Sequence, residues 1–216
     1  MPREKAALQN TEDSVKVEVI SEYGLDEALL GLGLSYGKTS ELKKLTPAFR
    51  ADMLDIAKKL ASKGLAHNKF LRQIAVYLDV TAPFYFHKQL VTYKIGVTTQ
   101  SESTMHTIMR KPFSSLQFEI DNFDSFDTMT INNLNSLRDK YLSSNNKEEK
   151  QQIWNKVIQT LPCSYLQRRI ISANYEVLRA IFKQRAKHKL GLWKIFIDSV
   201  YRQINYPEFL WDVYNA

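Results

Sequence analysis

The stretch from Ala82 to His106, APFYFHKQLVTYKIGVTTQSESTMH, carries the residues best suited to chemistry. Lys88, Gln89, Thr92, Tyr93 and Lys94 make a donor-rich run. The hydroxyls of Thr98, Thr99, Ser101, Ser103 and Thr104 follow in a polar segment low in charge. Such donors, together with backbone N–H groups of the segment, can hold a phosphate or the edge of a nucleobase. Taken alone, the same residues also read as an ordinary polar loop after a helix. No Gly-x-Gly-x-x-Gly, no phosphate-binding loop ending in Gly-Lys-Ser/Thr and no Gly-x-Ser-x-Gly elbow competes with this stretch. The histidines, His67, His87, His106 and His188, lie far apart without i,i+4 pairing, so no metal site is expected. Cys163, the only cysteine, excludes an internal disulfide and a cysteine-based zinc cluster. With no basic group beside it in sequence, it reads as a small buried apolar residue, not a nucleophile. One cysteine also suits a reducing, cytoplasmic setting.

These residues need a scaffold, and the composition provides for one. The chain has 216 residues, 44% of them hydrophobic and 12% aromatic, enough to fill a core and to exclude disorder throughout. Seven glycines and six prolines argue against a low-complexity chain or a turn-rich all-β sandwich. No apolar run approaches the roughly 18–20 residues that span a bilayer. The formal net charge of +7 attracts anions, so nucleotides, polyanionic cofactors and nucleic acids all qualify as partners.

Residues 1–14 are polar, lack the apolar segment of a secretory signal and read as a flexible N-terminal arm before a single domain over 15–216. The alternation in 15–21 predicts a strand. Residues 25–35 predict a helix despite Gly31 and Gly33. Thr46-Pro47 opens a helix with an apolar face at Phe49, Met53, Ile56, Ala57 and Leu60, stopped by Gly64. Residues 70–80 predict a strand, 84–94 a helix entered through Pro83, and 95–106 a loop. Residues 107–130 read as irregular, with a strand near 116–120. Helices are expected over 131–142 and 147–161, a strand over 166–172, a helix over 174–187 with Leu178, Ile181 and Phe182 inward, and a helix over 192–204 carrying Trp193, Phe196, Ile197 and Val200. The aromatic tail, 206–216, fits an interface or packing on its own subunit equally well. Strands and helices mix without regular β-α alternation, so the fold class is α+β, a mixed sheet with packed helices.

The residues of 82–106 resemble the signature region of the flavin-dependent thymidylate synthases. In that family a helix runs Ala-Pro-…-Arg-Gln-Trp-x-Arg-His-Arg, and a loop ends Asn-Glu-x-Ser-x-Arg-Tyr. Here Ala82-Pro83 opens the helix, Lys88-Gln89-Leu90 stands for Arg-Gln-Trp, and Thr92-Tyr93-Lys94 for Arg-His-Arg. Gln100-Ser101 replaces Asn-Glu, Ser103 matches the motif serine, and Met105 and His106 replace Arg and Tyr. A second segment is similar too. Leu161-Pro162 leads to Asn174, Glu176 replaces the family's next arginine, Arg185 falls on the one after, and Trp193 follows one residue late. Leu34-Ser35-Tyr36-Gly37 and Gly64–His67 also resemble family segments. The family arginine three residues before Leu-Pro appears as Ile158.

The resemblance implies a homotetramer with FAD between subunits. It implies C5 methylation of dUMP, with carbon from methylenetetrahydrofolate, hydride from reduced flavin and NADPH to regenerate it. It assigns Arg185 and Gln89 to the pyrimidine as catalytic candidates. Ser101 and Ser103 would serve the nucleotide phosphate, and Asn174, His67, Thr92 and Tyr93 the FAD. Arginines missing at 92, 105, 158 and 176 remove bidentate donors. Lys94 is the expected replacement, with Arg168 and Lys183 behind it. Alternatives are hydroxymethylation or another pyrimidine modification, and a non-catalytic relative binding nucleotides or single-stranded nucleic acid through its charge and aromatics.

Overall fold

A computed structural model describes residues 15–38, 45–64 and 66–215. Residues 1–14, where the sequence places a flexible arm, lie outside the described residues. Four strands form one sheet: β1 (Lys16–Tyr23), β2 (Ala75–Pro83), β3 (Thr98–Ser101) and β4 (Leu166–Asn174), in the order β1-β2-β4-β3. With packed helices around it, the expected α+β class holds. The chain divides into two compact units. One takes in Thr81–Leu90 and Ser101–Arg169, the other Val17–Val80, Val91–Gln100 and Ile170–Ala216.

The first unit holds α3 (Phe84–Leu90), α4 (Thr104–Thr107), α5 (Ser125–Ser143) and α6 (Lys147–Thr160); α1 and α2 belong to the second. Its core is a cluster of Ile108, Met109, Phe113, Phe118, Ile131, Leu134, Val157 and Tyr165. Phe84, Tyr141, Trp154 and Ile158 pack against that cluster from its margin. α5 begins at Ser125, earlier than the apolar periodicity suggests. Asp124 and Asp127 form a reciprocal cap there, each side chain taking the other's backbone N–H. The stretch 107–130, expected irregular, is pinned by side chains instead: Asn135 exchanges two hydrogen bonds with the Phe113 backbone (2.8 and 2.9 Å), and Arg138 Nε donates to Met109 O. The strand expected near 116–120 reduces to a 3₁₀ turn (Ser115–Gln117) and one bridge between Phe118 and Tyr165.

The second unit holds α1 (Leu25–Leu34), α2 (Pro47–Ala61), α7 (Tyr175–Arg185), α8 (Leu192–Gln203) and α9 (Trp211–Tyr214). Thr46 caps α2 as expected, its hydroxyl accepting from Phe49 N–H at 3.2 Å. Gly33 keeps its place in α1 because α2 crosses close by: a Cβ there would stand 2.6 Å from Phe49 Cζ. The strand expected from residue 70 starts later, since 69–72 coil into a 3₁₀ turn that buries Phe70 and Leu71. β2 then runs through Pro83, its last residue, so the proline ends a strand as well as preceding a helix. The buried faces of α7 (Leu178, Ile181, Phe182) and α8 (Trp193, Phe196, Ile197, Val200) are those the periodicity gave. The aromatic tail packs on its own chain: Phe209 and Leu210 are fully buried, and Phe209 meets Phe70 and Tyr175 edge-on. Arg179 locks it there with a fork onto Asp212 (2.6 and 2.7 Å) and a bond to Phe209 O. Trp211 stays exposed.

Two expectations within 84–106 change. α3 closes at Leu90 and the chain turns over 91–97. The polar segment expected to be a loop supplies edge strand β3 and the short helix α4. β3 forms because Thr98 to Ser101 lie beside β4, a tertiary pairing that local composition does not announce.

Candidate functional site

The sequence-predicted residues fall in both units. Gln89, Ser101, Ser103 and Arg168 belong to the first, and His67, Thr92, Tyr93, Lys94, Asn174 and Arg185 to the second.

In the second unit, α7 carries a sequence-predicted residue at each end, about 16 Å apart at 1.5 Å per residue. Asn174 caps its start, Oδ1 accepting from Val177 N–H at 3.0 Å. Arg185 ends it. The turn after α3 runs alongside. Gly96, in the left-handed region at φ +78°, presses on the first end: a Cβ there would lie 2.9 Å from Asn174 Nδ2 and 3.1 Å from Val177 Cγ2. Tyr93 meets the other end. Arg185 Nε donates to Tyr93 OH at 2.9 Å, and the phenol donates on to Gln184 Oε1 at 3.0 Å. The guanidinium sits 4.9 Å from the Trp193 ring centre and 5.7 Å from that of Tyr93. The two rings stand edge to face, 6.3 Å apart. A guanidinium beside two nearly perpendicular aromatic rings suits a planar, carbonyl-bearing or anionic group. Thus Tyr93 and Arg185 come together at one end of α7, Asn174 stands at the other, and Gln184, which the sequence gave no reason to single out, completes the chain of bonds. Thr92 and Lys94 are exposed in the same turn, and His67 is exposed in the turn that follows Gly64. Glu176 follows Tyr175 in the first turn of α7. Its Oε2 is buried without a hydrogen-bond partner among the described residues, and burial pushes its pKa up.

In the first unit the organising residue is Gln167 on β4. Its Nε2 donates to Glu102 O and to Thr104 Oγ1, both at 3.1 Å, while Oε1 accepts from Arg169 Nε at 3.0 Å. Glu102 N–H donates to Arg168 O at 3.0 Å. These bonds fasten the 101–104 segment to β4. Ser103 caps α4, its hydroxyl accepting from His106 N–H at 3.3 Å. Ser101 and Arg168 are exposed and Gln89 is half-buried. Beneath the segment, fully buried His87 contacts Gln167 O at 2.9 Å. A carbonyl accepts only, so Nε2 carries the proton and donates; Nδ1 has no partner among the described residues. Desolvation lowers the His87 pKa to about 4.

Cys163 corrects the sequence reading. It is exposed, and Lys88 Nζ lies 3.3 Å from its sulfur. The pair is 75 positions apart, so only the fold brings them together. Glu119 is a buried carboxyl pushed up to about 7 by burial, with Asp121 adding to the shift. Among the described residues, no group of metal-ligating side chains forms a site, and no helix is long and apolar enough to cross a membrane.

Solved structures with the same architecture include a Thymidylate Synthase X from Helicobacter pylori with FAD and dUMP. It matches at TM-score 0.73 and 13% identity over 94% of this chain and all of that one, 100%. The fold is that of the flavin-dependent thymidylate synthases. A second structure of that Helicobacter pylori enzyme, also complexed with FAD and dUMP, matches at 0.70 and 13% over 92% and 99%. A UMP/dUMP methylase from Streptomyces cacaoi bound with 5-Br dUMP matches at 0.60 and 10% over 93% and 95%. No protein-family model and no curated protein sequence matches the chain.

Proposed function

We propose that the chain is a flavin-dependent enzyme acting at C5 of a pyrimidine deoxynucleotide, with dUMP converted to dTMP as the first reaction to test. The observation that carries the reading is the gathering of Arg185, Tyr93 and Trp193 on a fold whose solved examples hold FAD and dUMP. Arg185 would bind a uracil carbonyl and stabilise the negative charge that grows there as C5 attacks carbon. Tyr93 and Trp193 hold the guanidinium in place for that contact. Gln89 would offer the pyrimidine a second donor. The residues present fit a flavin: Asn174 spends its Oδ1 on the helix cap and keeps an amide donor, the group a carbonyl-rich ring requires. His67 and Thr92 would line the rest of the cofactor. When bound, reduced FAD supplies hydride; methylenetetrahydrofolate would supply carbon and NADPH the reducing equivalents. A homotetramer, with sites completed by neighbouring subunits, and a cytoplasmic location complete the proposal.

An absorbance spectrum before and after adding excess FAD tests the cofactor. A flavin band that stays with the protein through gel filtration is expected; protein that stays colourless overturns the reading. Mass spectrometry of products from dUMP and dCMP then separates methylation of dUMP from another C5 modification. That second reading is favoured by Glu176, a buried acceptor where the family carries an arginine donor.

A further inference from the structure

We propose that a cavity between α4 and the α5–α6 hairpin of the first unit receives the nucleotide's phosphate, held by Lys147 and Lys150. The identity of the rest of the ligand rests on the reading above; the phosphate site itself rests on the cavity. The space measures about 430 Å³, within the range of roughly 300–1,000 Å³ typical of small-molecule sites. Its walls are Met105 and His106 at α4, Tyr141 from α5, and Lys147, Lys150 and Trp154 from α6, with Gln151 between. None of these lining residues is acidic.

The α6 contributors sit at i, i+3, i+4 and i+7, a single helix face turned to the cavity. Two contacts hold that face in register. Trp154 Nε1 donates to Met105 O at 3.1 Å, tying α6 to the turn that Ser103 caps. Lys150 Nζ lies 5.3 Å from the centre of the Tyr141 ring, which keeps the ammonium at the wall. The carboxylates nearest in sequence do not neutralise the site from within it. Glu149 accepts a hydrogen bond from Ser144 Oγ at 2.5 Å, and neither it nor Glu148 lines the cavity. Asn146 already takes the N–H groups of Glu148 and Glu149, so an anion here would be met by side chains and not by the helix end. Met105 and Ile158 occupy positions where the resembling family has arginine. Ile158 packs against the apolar cluster, so that position offers a phosphate no charge, whereas Lys147 and Lys150 line the cavity itself.

Titration of the full chain with dUMP, deoxyuridine and inorganic phosphate tests this, with FAD binding followed separately by absorbance. Wild-type protein is expected to prefer dUMP over deoxyuridine. Lys147→Gln and Lys150→Gln should each weaken dUMP binding about tenfold, the double variant about a hundredfold. Deoxyuridine and FAD binding should hold, and Lys147→Arg with Lys150→Arg should retain dUMP. Unchanged dUMP affinity in the double glutamine variant overturns the site, as does wild-type protein that binds neither dUMP nor phosphate. Protein that binds no FAD but shows lysine-dependent phosphate binding would retire the flavin reading and leave the cavity assignment standing.

Discussion

His87 and Glu119 pull the pH dependence of stability in opposite directions, and substituting each one separately exposes the opposition. His87 titrates at about 4 when folded, against 6.5 for an ordinary histidine. Between those values the unfolded chain binds the proton and the folded chain does not, so stability falls as pH drops from 6.5 towards 4. At roughly 1.4 kcal/mol per pH unit the loss is about 3 kcal/mol. Glu119 is the reverse case, raised from 4.5 to about 7. The folded state keeps its proton longer, so the contribution is full below 4.5 and is lost as pH rises through about 7, again about 3 kcal/mol. Over pH 4.5–6.5 the two nearly cancel. His87→Gln keeps a donor for Gln167 O and removes one titration; Glu119→Gln removes the other. Urea unfolding at pH 4.5, 5.5, 6.5 and 7.5, read as each variant minus wild type, cancels every other titrating group. The His87 variant should gain on wild type as pH falls, and the Glu119 variant should gain as pH rises. Differences that stay constant across the series would refute the burial argument for that residue.

Tyr93→Phe removes a charge-assisted bond from Arg185 and a second to Gln184. Because the phenol is half-exposed, a loss of about 1–2 kcal/mol is expected, seen as a melting temperature lower by about 2–8 °C. Gly96→Ala places a Cβ 2.9 Å from Asn174 Nδ2 at φ +78° and should cost about 2 kcal/mol or more, measured as a lower urea midpoint with an unchanged slope. Gln167→Ala strips Glu102 O, Thr104 Oγ1 and Arg169 of a partner. Faster amide exchange over 102–106, with α5 and α6 still protected, is the expected result.

Local signals in the sequence marked where most elements begin. Thr46 and Asn174 are caps by residue type, and the apolar positions that spacing marks on α7 and α8 are all buried. Boundaries moved for two reasons, a tertiary partner in one case and a local polar cap in the other. β3 exists because β4 lies beside it, and α5 gains its first turn from an Asp–Asp cap in a stretch without apolar rhythm. The chemistry divides the same way. Residue types along 82–106 marked Tyr93 and Ser103, and the family pattern added Arg185. The bonds that give them a task join Tyr93 to Arg185 across 92 positions and Gln167 to Thr104 across 63. No spacing rule reaches that far.

The positions where the resembling family carries arginine fit the same logic. A position open to solvent can take an arginine by a single substitution. Ile158 is not in that situation, since it lies against the cluster of Ile108, Phe118 and Val157 and its side chain completes an apolar surface. An arginine there would have to keep its guanidinium out of that surface while its stem covered it. Met105 is different, being exposed at the cavity that Lys147 and Lys150 line. The two positions therefore differ, one being part of the packing and the other lying at the rim of a cationic cavity. Met105→Arg should strengthen dUMP binding, whereas Ile158→Arg should lower stability with no gain in binding. Equal effects from the two substitutions would show that the cavity has no special claim on the phosphate.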